Sequence, residues 1–575
     1  MKTTICKLKI NLTNKSVEKA LVPAGQLSLE ERLGGFGLAV HDFAKHLEQN
    51  PELRDAYNPN APIYITTGFL TGTKVMTAKR TYICGLSPQK TSKAGTNGIF
   101  YSAASGDFGP KLAALGIDSV EIIGKSETPV YLVFDSNGVH FQDATNLLEK
   151  TTDEKILALA EMHPSYASAA IGPAAENGVR FANIALSTHD QIKNKSGNLR
   201  FAGRGGMGSA LWNKNLVAVV AGGGESVTNH DVGDVLALNK EIATGKRTAK
   251  YKAMGTMFGN IEQMDGVMGV NVHENFSHGS SPQTAALFKP NLLQSGHTIK
   301  DKGCLCCGIK CWKEINKDGK SLGKVDFEPG MLLGPNLGIY EIEKVMELIR
   351  IVDNSGVDAI TAGACLGYEM EQKNNFGDFD FAKDLLLQII AGKHPLKDGL
   401  MRYAGNAPSA MHVKGVELPA YPGNFNPGYA FAIRGGDHMS MDTYNGAWYP
   451  GAVNDLPEWI ENIIRGPQII NYDLNGACKF AKVTFGEVAE LYSRIFGGEK
   501  PTEDGMRDVA KRVYRLARGI DAKLGFTSED DVMPEKCFEP YVGSRIKPFM
   551  TQDFFSQVKK GVEERLADAE KSQRK

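Results

Sequence analysis

Cys6, Leu8, Ile10 and Leu12 alternate with Lys7, Lys9 and Asn11 at the start of the chain. A period of two is that of a half-buried strand, not of the apolar core of a signal peptide. Short β-type runs punctuated by glycine continue to about residue 220, at 61–66, 80–84, 119–123, 130–134 and 217–220. From about residue 230 the period changes. Ile342, Val345, Met346, Ile349 and Val352 fall on one helical stripe, which predicts a helix ending near Asp353-Asn-Ser-Gly356, where glycine tolerates the left-handed turn. Residues 551–575 read as a charged terminal helix that frays into solvent, and no solenoid period or low-complexity tract interrupts the chain. The pattern predicts an α+β protein: a β-rich N-terminal domain, 1–220, followed by two largely α-helical domains, 221–405 and 406–575.

A length of 575 residues suits two or three domains and a core that needs no staples. Lysine plus arginine number 65 against 66 aspartate plus glutamate, a net charge of −1. That balance gives no reason to expect nucleic acid or an anionic membrane as partner. No apolar run approaches the roughly 18 residues that span a bilayer. Nine cysteines, several of them clustered, suit metal ligation in a reducing cytoplasm better than a secreted disulfide framework.

Those cysteines change the picture most. Cys304-x-x-Cys307-x-x-x-Cys311 can turn three thiolates of one glycine-containing loop toward a point, and Cys478 supplies a fourth from far downstream. This spacing is that of a [4Fe-4S] cluster. A tetrahedral zinc site is the rival, although structural zinc usually draws its ligands as two close pairs. Cys306 is then a bystander, and Cys6, Cys84, Cys365 and Cys537 read as small core residues.

Two further features bear on a cofactor. Asp353-Asn-Ser-Gly356-Val-Asp358 and Asp473-Leu-Asn-Gly476-Ala-Cys478 share one form, in which a late helical aspartate precedes a turning glycine. Such a carboxylate can accept paired hydrogen bonds from an amino-substituted ring, as in a pterin, or the motif can be a plain helix cap. The second copy ends in the candidate fourth cluster ligand, so a pterin held there would lie beside the cluster. Arg200-Phe-Ala-Gly-Arg-Gly-Gly-Met-Gly208 packs backbone amides and two arginines into nine residues. It can cradle phosphate or simply turn tightly. Residues 193–198 before it are not a strand, so it is no dinucleotide fingerprint.

Together these segments resemble the tungsten-containing aldehyde:ferredoxin oxidoreductase family, in order, across nearly the whole chain. Gly68-Phe-Leu-Thr-Gly-Thr73, Ser105-Gly-Asp-Phe-Gly-Pro-Lys-Leu112, Ala202-Gly-Arg-Gly-Gly-Met-Gly208 with Lys214-Asn-Leu216, and the three-cysteine loop are similar to its motifs. Glu328, Asn336-Leu-Gly-Ile339, both Asp-x-x-Gly motifs and Arg434-Gly-Gly-Asp-His438 follow in the family's order.

The resemblance implies one tungsten or molybdenum held by the dithiolene sulfurs of two pterins. It implies that Asp353 and Asp473, with Gly356, Asp358 and Gly476 of their motifs, bind the pterin rings, and that Cys478 links cluster and cofactor. Arg80, Arg200 and Arg204 would face the phosphates. The Phe201 carbonyl would help hold a bridging Mg2+, within the Ala202, Gly203 and Gly205 loop. Glu328 and His438 are its acid/base candidates. The implied reaction oxidises an aldehyde to its acid and passes electrons through the cluster to ferredoxin or a ferredoxin-like subunit, in an oligomeric enzyme. Reduction of an activated aromatic ring, or a cluster-only electron-transfer subunit, is the alternative. The first lacks a cysteine at or beside Glu328, and the second has no use for paired aspartates.

Three departures accompany the resemblance. Ala104 stands where the family places a magnesium-ligating asparagine, so Ser105 or water would replace it. Leu199 stands where relatives carry histidine, and Pro422-Gly-Asn-Phe425 replaces an Asp-Pro-Arg-Gly segment of the pocket wall. Tyr429, Tyr444, Trp448 and Tyr449 flank His438 in sequence, either as aromatic pocket lining or as core.

Overall fold

A computed structural model describes residues 1–195, 197–223, 232–439, 455–466 and 470–573. Residues 1–221 form two six-stranded sheets. The first contains β1 (Thr4–Asn11), β2 (Ser16–Pro23), β3 (Ile63–Thr67), β4 (Thr81–Thr91), β5 (Asn97–Ala104) and β6 (Ser119–Ile123). The second contains β7 (Val130–Asp135), β8 (Gly138–Asp143), β9 (Ala167–Ile171), β10 (Ile184–Leu186), β11 (Arg200–Ala202) and β12 (Leu216–Ala221). On β1, Cys6, Leu8 and Ile10 point inward and Lys7 and Lys9 outward, as the alternation dictates.

The strand orders, 2-1-6-3-4-5 and 11-10-9-12-7-8, are the same topology read in opposite directions. In each half an antiparallel hairpin opens the sheet, and the last strand inserts parallel to the first. The helices correspond as well: Gly35–Gln49 with Thr152–Met162, and Phe108–Ala114 with Met207–Asn213. The half-domain is thus duplicated, which no sequence period betrays.

Beyond residue 235 helices dominate. Helix Ile342–Ser355 buries Val345, Leu348, Ile349 and Val352, and ends on Gly356 at φ 73°. An antiparallel sheet of β13 (Thr298–Lys302), β14 (Trp312–Lys317) and β15 (Lys320–Val325) interrupts them. The cysteine loop, 303–311, joins β13 to β14, and Lys302 pairs with Trp312 at its neck. β15 then runs into helix Phe327–Leu332, which carries Glu328. The terminal helix, Gln552–Gln573, differs from the solvated helix expected, because Phe555, Val558 and Val562 are buried. A Cβ on its Gly561 would lie 2.3 Å from Ile460 Cδ1, so it packs closely on helix Leu456–Ile464. Among the described residues no helix is long and apolar enough to cross a membrane.

Each half-domain grips one Asp-x-x-Gly turn. The Arg80 amide, before β4, donates to the Gly476 carbonyl at 3.1 Å, and the Asn183 amide, before β10, donates to the Gly356 carbonyl at 2.8 Å. Gly68 and Gly172, each just after the equivalent strand, leave no room for a side chain. A Cβ there would stand 2.1 Å from Gly476 N and 2.2 Å from Ser355 O. Backbone therefore meets backbone at both contacts.

Candidate functional site: a cavity between the sheets and the cysteine hairpin

The sheet ends, the cysteine loop, both aspartate turns and the His438 segment enclose a cavity of about 660 Å³. Cys304, Cys307, Cys311 and Cys478 all line it. Cys304 donates to Ser105 Oγ at 3.4 Å and accepts from Arg200 Nη2 at 3.8 Å, while Cys478 accepts from Arg80 Nη2 at 3.6 Å. Burial pushes the Cys307 and Cys311 thiols up to about 11 and about 12. Burial is the largest single influence on Cys304 and raises it, but the Arg200 guanidinium, the Ser105 hydroxyl and Lys79 together draw its pKa down. Among the described residues no three histidine, cysteine or carboxylate side chains converge as ligands of one ion. A cluster does not require that, since each thiolate binds its own iron. Cys306 is exposed at φ 59°, and Cys84, Cys365 and Cys537 are buried and do not line the cavity.

Asp353 and Asp473, each beside a turn held by a different half-domain, line the cavity. Burial pushes Asp353 up to about 6, and Asp473 is also raised by burial, against the pull of Arg434 and Arg80. Tyr101 OH donates to Asp473 Oδ2 at 3.3 Å, while no protein donor satisfies the Asp353 carboxyl among the described residues. Arg200 Nε and Asn183 Oδ1 are buried without partners. In the glycine loop, a Cβ on Gly205, Gly206 or Gly208 would strike Phe100, Arg180 O or Asn183 O, whereas one on Gly203 meets nothing within 4 Å and Gly203 faces the cavity. The open Asp353 carboxyl, the orphaned Arg200 donor, the orphaned Asn183 acceptor and the bare backbone at Gly203 fit a large polar group with amino-ring and anionic ends.

Not every expected residue faces inward. Arg80, Ser105, Arg200, Phe201, Gly203 and Arg204 line the cavity, but Ala202, Gly205, Gly356, Asp358 and Gly476 lie behind it. Asp358 caps helix Ala359–Lys373 through Ile360 N at 3.0 Å and accepts from Thr361 Oγ1 at 2.8 Å and Arg204 Nε at 3.2 Å. Arg204 spends its remaining nitrogens on the Gly436 and Glu417 carbonyls, at 2.7 and 2.6 Å. Its placement differs from a phosphate-facing guanidinium: it ties the glycine loop to the segment bearing His438.

Sequence reasoning did not single out Lys324 and Asp326, paired at 3.1 Å, which β15 brings to the cavity beside Asp353. It also passed over Tyr421, Lys479 and Asn183. Only the duplication signals Asn183, as the counterpart of Arg80. Tyr429 is fully buried and donates from its hydroxyl to Tyr421 O at 2.8 Å, so it belongs to the core. Tyr444, Trp448 and Tyr449 lie outside the described residues.

Glu328 and His438, 110 positions apart, meet on one wall, with His438 Nε2 3.5 Å from Glu328 Oε1. Ala420 N donates to Glu328 Oε2 at 2.6 Å, and the Tyr421 ring stacks on the imidazole at 4.7 Å and 29°. Burial pushes the Glu328 carboxyl up to about 7. Burial, reinforced by Lys479, drives His438 down to about 3, so its imidazole is neutral. Glu328 is the group of this pair that changes protonation near neutral pH.

A rim of four cysteines, two carboxyls on turns each gripped by one half-domain and a half-buried carboxyl–imidazole pair surround one cavity. Models of the aldehyde ferredoxin oxidoreductase N-terminal domain and of domains 2 and 3 match residues 7–223 and 235–562, and the chain belongs to that family. The tungsten-containing aldehyde ferredoxin oxidoreductase of Pyrococcus abyssi is 27% identical, over 92% of this chain and 91% of that protein. A protein of Pyrococcus furiosus named aliphatic sulfonate oxidoreductase, WOR-like subunit, is also 27% identical, over 94% of this chain and 90% of its own length. Among solved structures, the active-site complex BamBC of benzoyl coenzyme A reductase shares the fold, with a TM-score of 0.77, 17% identity and coverage of 98% and 94%.

Proposed function

We propose that this oxidoreductase converts an aldehyde to its carboxylic acid at a tungsten–bispterin centre and delivers the electrons, through a [4Fe-4S] cluster, to ferredoxin or a ferredoxin-like subunit. The observation that carries the reading is the Glu328–His438 pair set in the wall of a cavity whose other walls offer pterin-type and cluster-type donors. In this reading Cys304, Cys307, Cys311 and Cys478 hold the cluster, and Asp353 and Asp473 hold the amino-substituted rings. Arg80 and Arg200 face the phosphates, and the Phe201 carbonyl with Ser105 supports a Mg2+. The unit 1–220 binds the pterin cofactor, 221–405 supplies the cluster loop, Glu328 and the first aspartate, and 406–575 supplies His438, the second aspartate and the fourth cysteine.

When bound, the tungsten group supplies two-electron redox and Lewis-acid chemistry. The chain's own part is proton handling and exclusion of water. Balance requires one water per aldehyde: oxygen adds to the carbonyl carbon, and two protons and two electrons leave. Ionised Glu328 Oε1, without a hydrogen-bond partner of its own, accepts a proton from that water and passes it to solvent, and the neutral imidazole of His438, its Nε2 3.5 Å away, holds the carboxyl in register. The stacked Tyr421 ring keeps the imidazole in place.

The test is an aldehyde panel with viologen dye on anaerobically purified protein, together with metal and pterin analysis. The reading expects turnover with about one tungsten and about four iron per chain. Zinc in the thiolate site, or no pterin on extraction, overturns it.

A further inference from the structure

The loop that carries three of the proposed cluster ligands reaches the surface, and its surroundings are not neutral. Leu305 is 42% exposed, among the few large apolar side chains so open, and Cys306 beside it is exposed in a left-handed conformation. Helix Leu236–Thr244 abuts the loop so closely that a Cβ on Gly308 would lie 2.6 Å from the Ala243 Cβ. The same helix meets the 70s loop through Asn239, which donates to the Lys74 carbonyl at 2.9 Å, while the Gly308 amide approaches Met76 Sδ at 3.3 Å. On the other side, Lys313 Nζ donates to the Lys252 and Lys310 carbonyls, at 2.8 and 3.2 Å, and Arg247 Nη1 donates to Lys482 O at 3.3 Å, four residues beyond Cys478.

These contacts bring lysine-bearing segments close to the loop that carries the apolar tip. Lys74, Lys240, Lys246 and Lys310 are all exposed, and among the described residues none lies within ion-pair distance of a carboxylate. The acids nearby are largely spent: Glu487 and Glu241 face Arg247, and Asp301 faces Lys313. A chain with a net charge of −1 has no general surplus of lysine to scatter here. A cationic surface close to a small apolar tip has the form of a contact that selects a partner by charge and seats it by desolvating a few apolar atoms.

We infer that this face is the electron-exit surface and that it receives a small acidic iron–sulfur protein, which docks on Leu305 and is steered by these lysines. The inference rests on the cluster reading above and adds the place and charge of the partner. The step is a one-electron transfer: the reduced cluster is oxidised and the oxidised partner is reduced, with no bond made or broken.

The test follows the visible absorbance of the dithionite-reduced holoenzyme as it is reoxidised, with no aldehyde present, so it does not depend on the substrate. The acceptors are a purified acidic ferredoxin and a zwitterionic viologen. For Lys74→Glu/Lys240→Glu/Lys246→Glu, the second-order rate with ferredoxin should fall at least about 10-fold at low ionic strength, while the viologen rate holds. The wild-type ferredoxin rate should fall steeply with salt. A triple variant that keeps the wild-type ferredoxin rate, or a wild-type rate indifferent to salt, overturns the surface while leaving the cluster standing. Absence of any iron–sulfur absorbance overturns the cluster reading and this one together.

Discussion

At the scale of single residues, the site depends on two groups that burial drives in opposite directions. Glu328 is lifted to about 7 and His438 is lowered to about 3, so over the neutral range the imidazole stays uncharged and only the carboxyl titrates. If Glu328 Oε1 accepts the water proton, it must be ionised to act, and kcat/KM should climb with pH through a limb centred near 7. Glu328→Gln should remove that limb and lower kcat by about 100-fold or more, with tungsten and iron contents retained. A variant that keeps the limb assigns it to another group. His438→Asn should likewise abolish turnover with metal retained, because the amide can fill the space without matching the 3.5 Å approach of Nε2 to the carboxyl. Wild-type turnover in that variant removes His438 from the mechanism.

At the scale of elements, the site is held by turns pressed against strand ends. Gly476 sits at φ 91°, and a Cβ there would lie 2.4 Å from Thr71 Oγ1 and 2.8 Å from Thr71 N. Gly476→Ala should therefore lift the Asp473–Cys478 turn off the first sheet, at about 1–3 kcal/mol of strain. Pterin and iron contents should both fall, since this turn carries a proposed ligand of each; full loading would show that the contact is dispensable. The helix stop at Gly356 and the β1 alternation were legible, because each is a local pattern with a local cause, whereas the strands that flank the cysteine loop were not. The duplication was not, since two sheets can share a topology with little identity, and inward side chains need only be apolar. Nor was the true use of Arg204 and Asp358. Adjacent glycines suggest a phosphate loop, but partners 154 to 232 positions away, at Asp358, Glu417 and Gly436, decide where that guanidinium goes. The terminal helix was misjudged for a similar reason: its charge is visible, and the apolar surface of Leu456–Ile464 that covers one face is not.

At the scale of the whole molecule, a long helix of the C-terminal region is bound to the first sheet by charges that burial makes consequential. Helix Glu503–Lys523 presents Asp521 to Lys90 of β4 and to the Ile99 amide of β5 at 3.0 Å. Its Arg518 makes a fork to Asp531, at 2.8 and 2.6 Å, and Asp531 also takes Lys414 Nζ at 2.5 Å. Lys414 in turn accepts the Thr91 amide at 2.9 Å through its carbonyl, so the network runs from the end of β4 to the C-terminal region. Removing one member leaves the others buried and unmatched. Asp531→Asn should thus cost about 3–5 kcal/mol, read as a lower urea midpoint with both cations still in place. The sign with pH follows from Asp531, whose carboxyl, despite burial, Lys414 and Arg518 hold at about 2, below the ordinary 3.8. A folded value below the unfolded one means that the unfolded chain binds more protons between them. This contribution is complete above about pH 4 and is lost as the pH falls toward 2. Wild type should lose stability over that window more steeply than Asp531→Asn, and parallel acid limbs for the two proteins would mean that the network does not join the sheet to the helix.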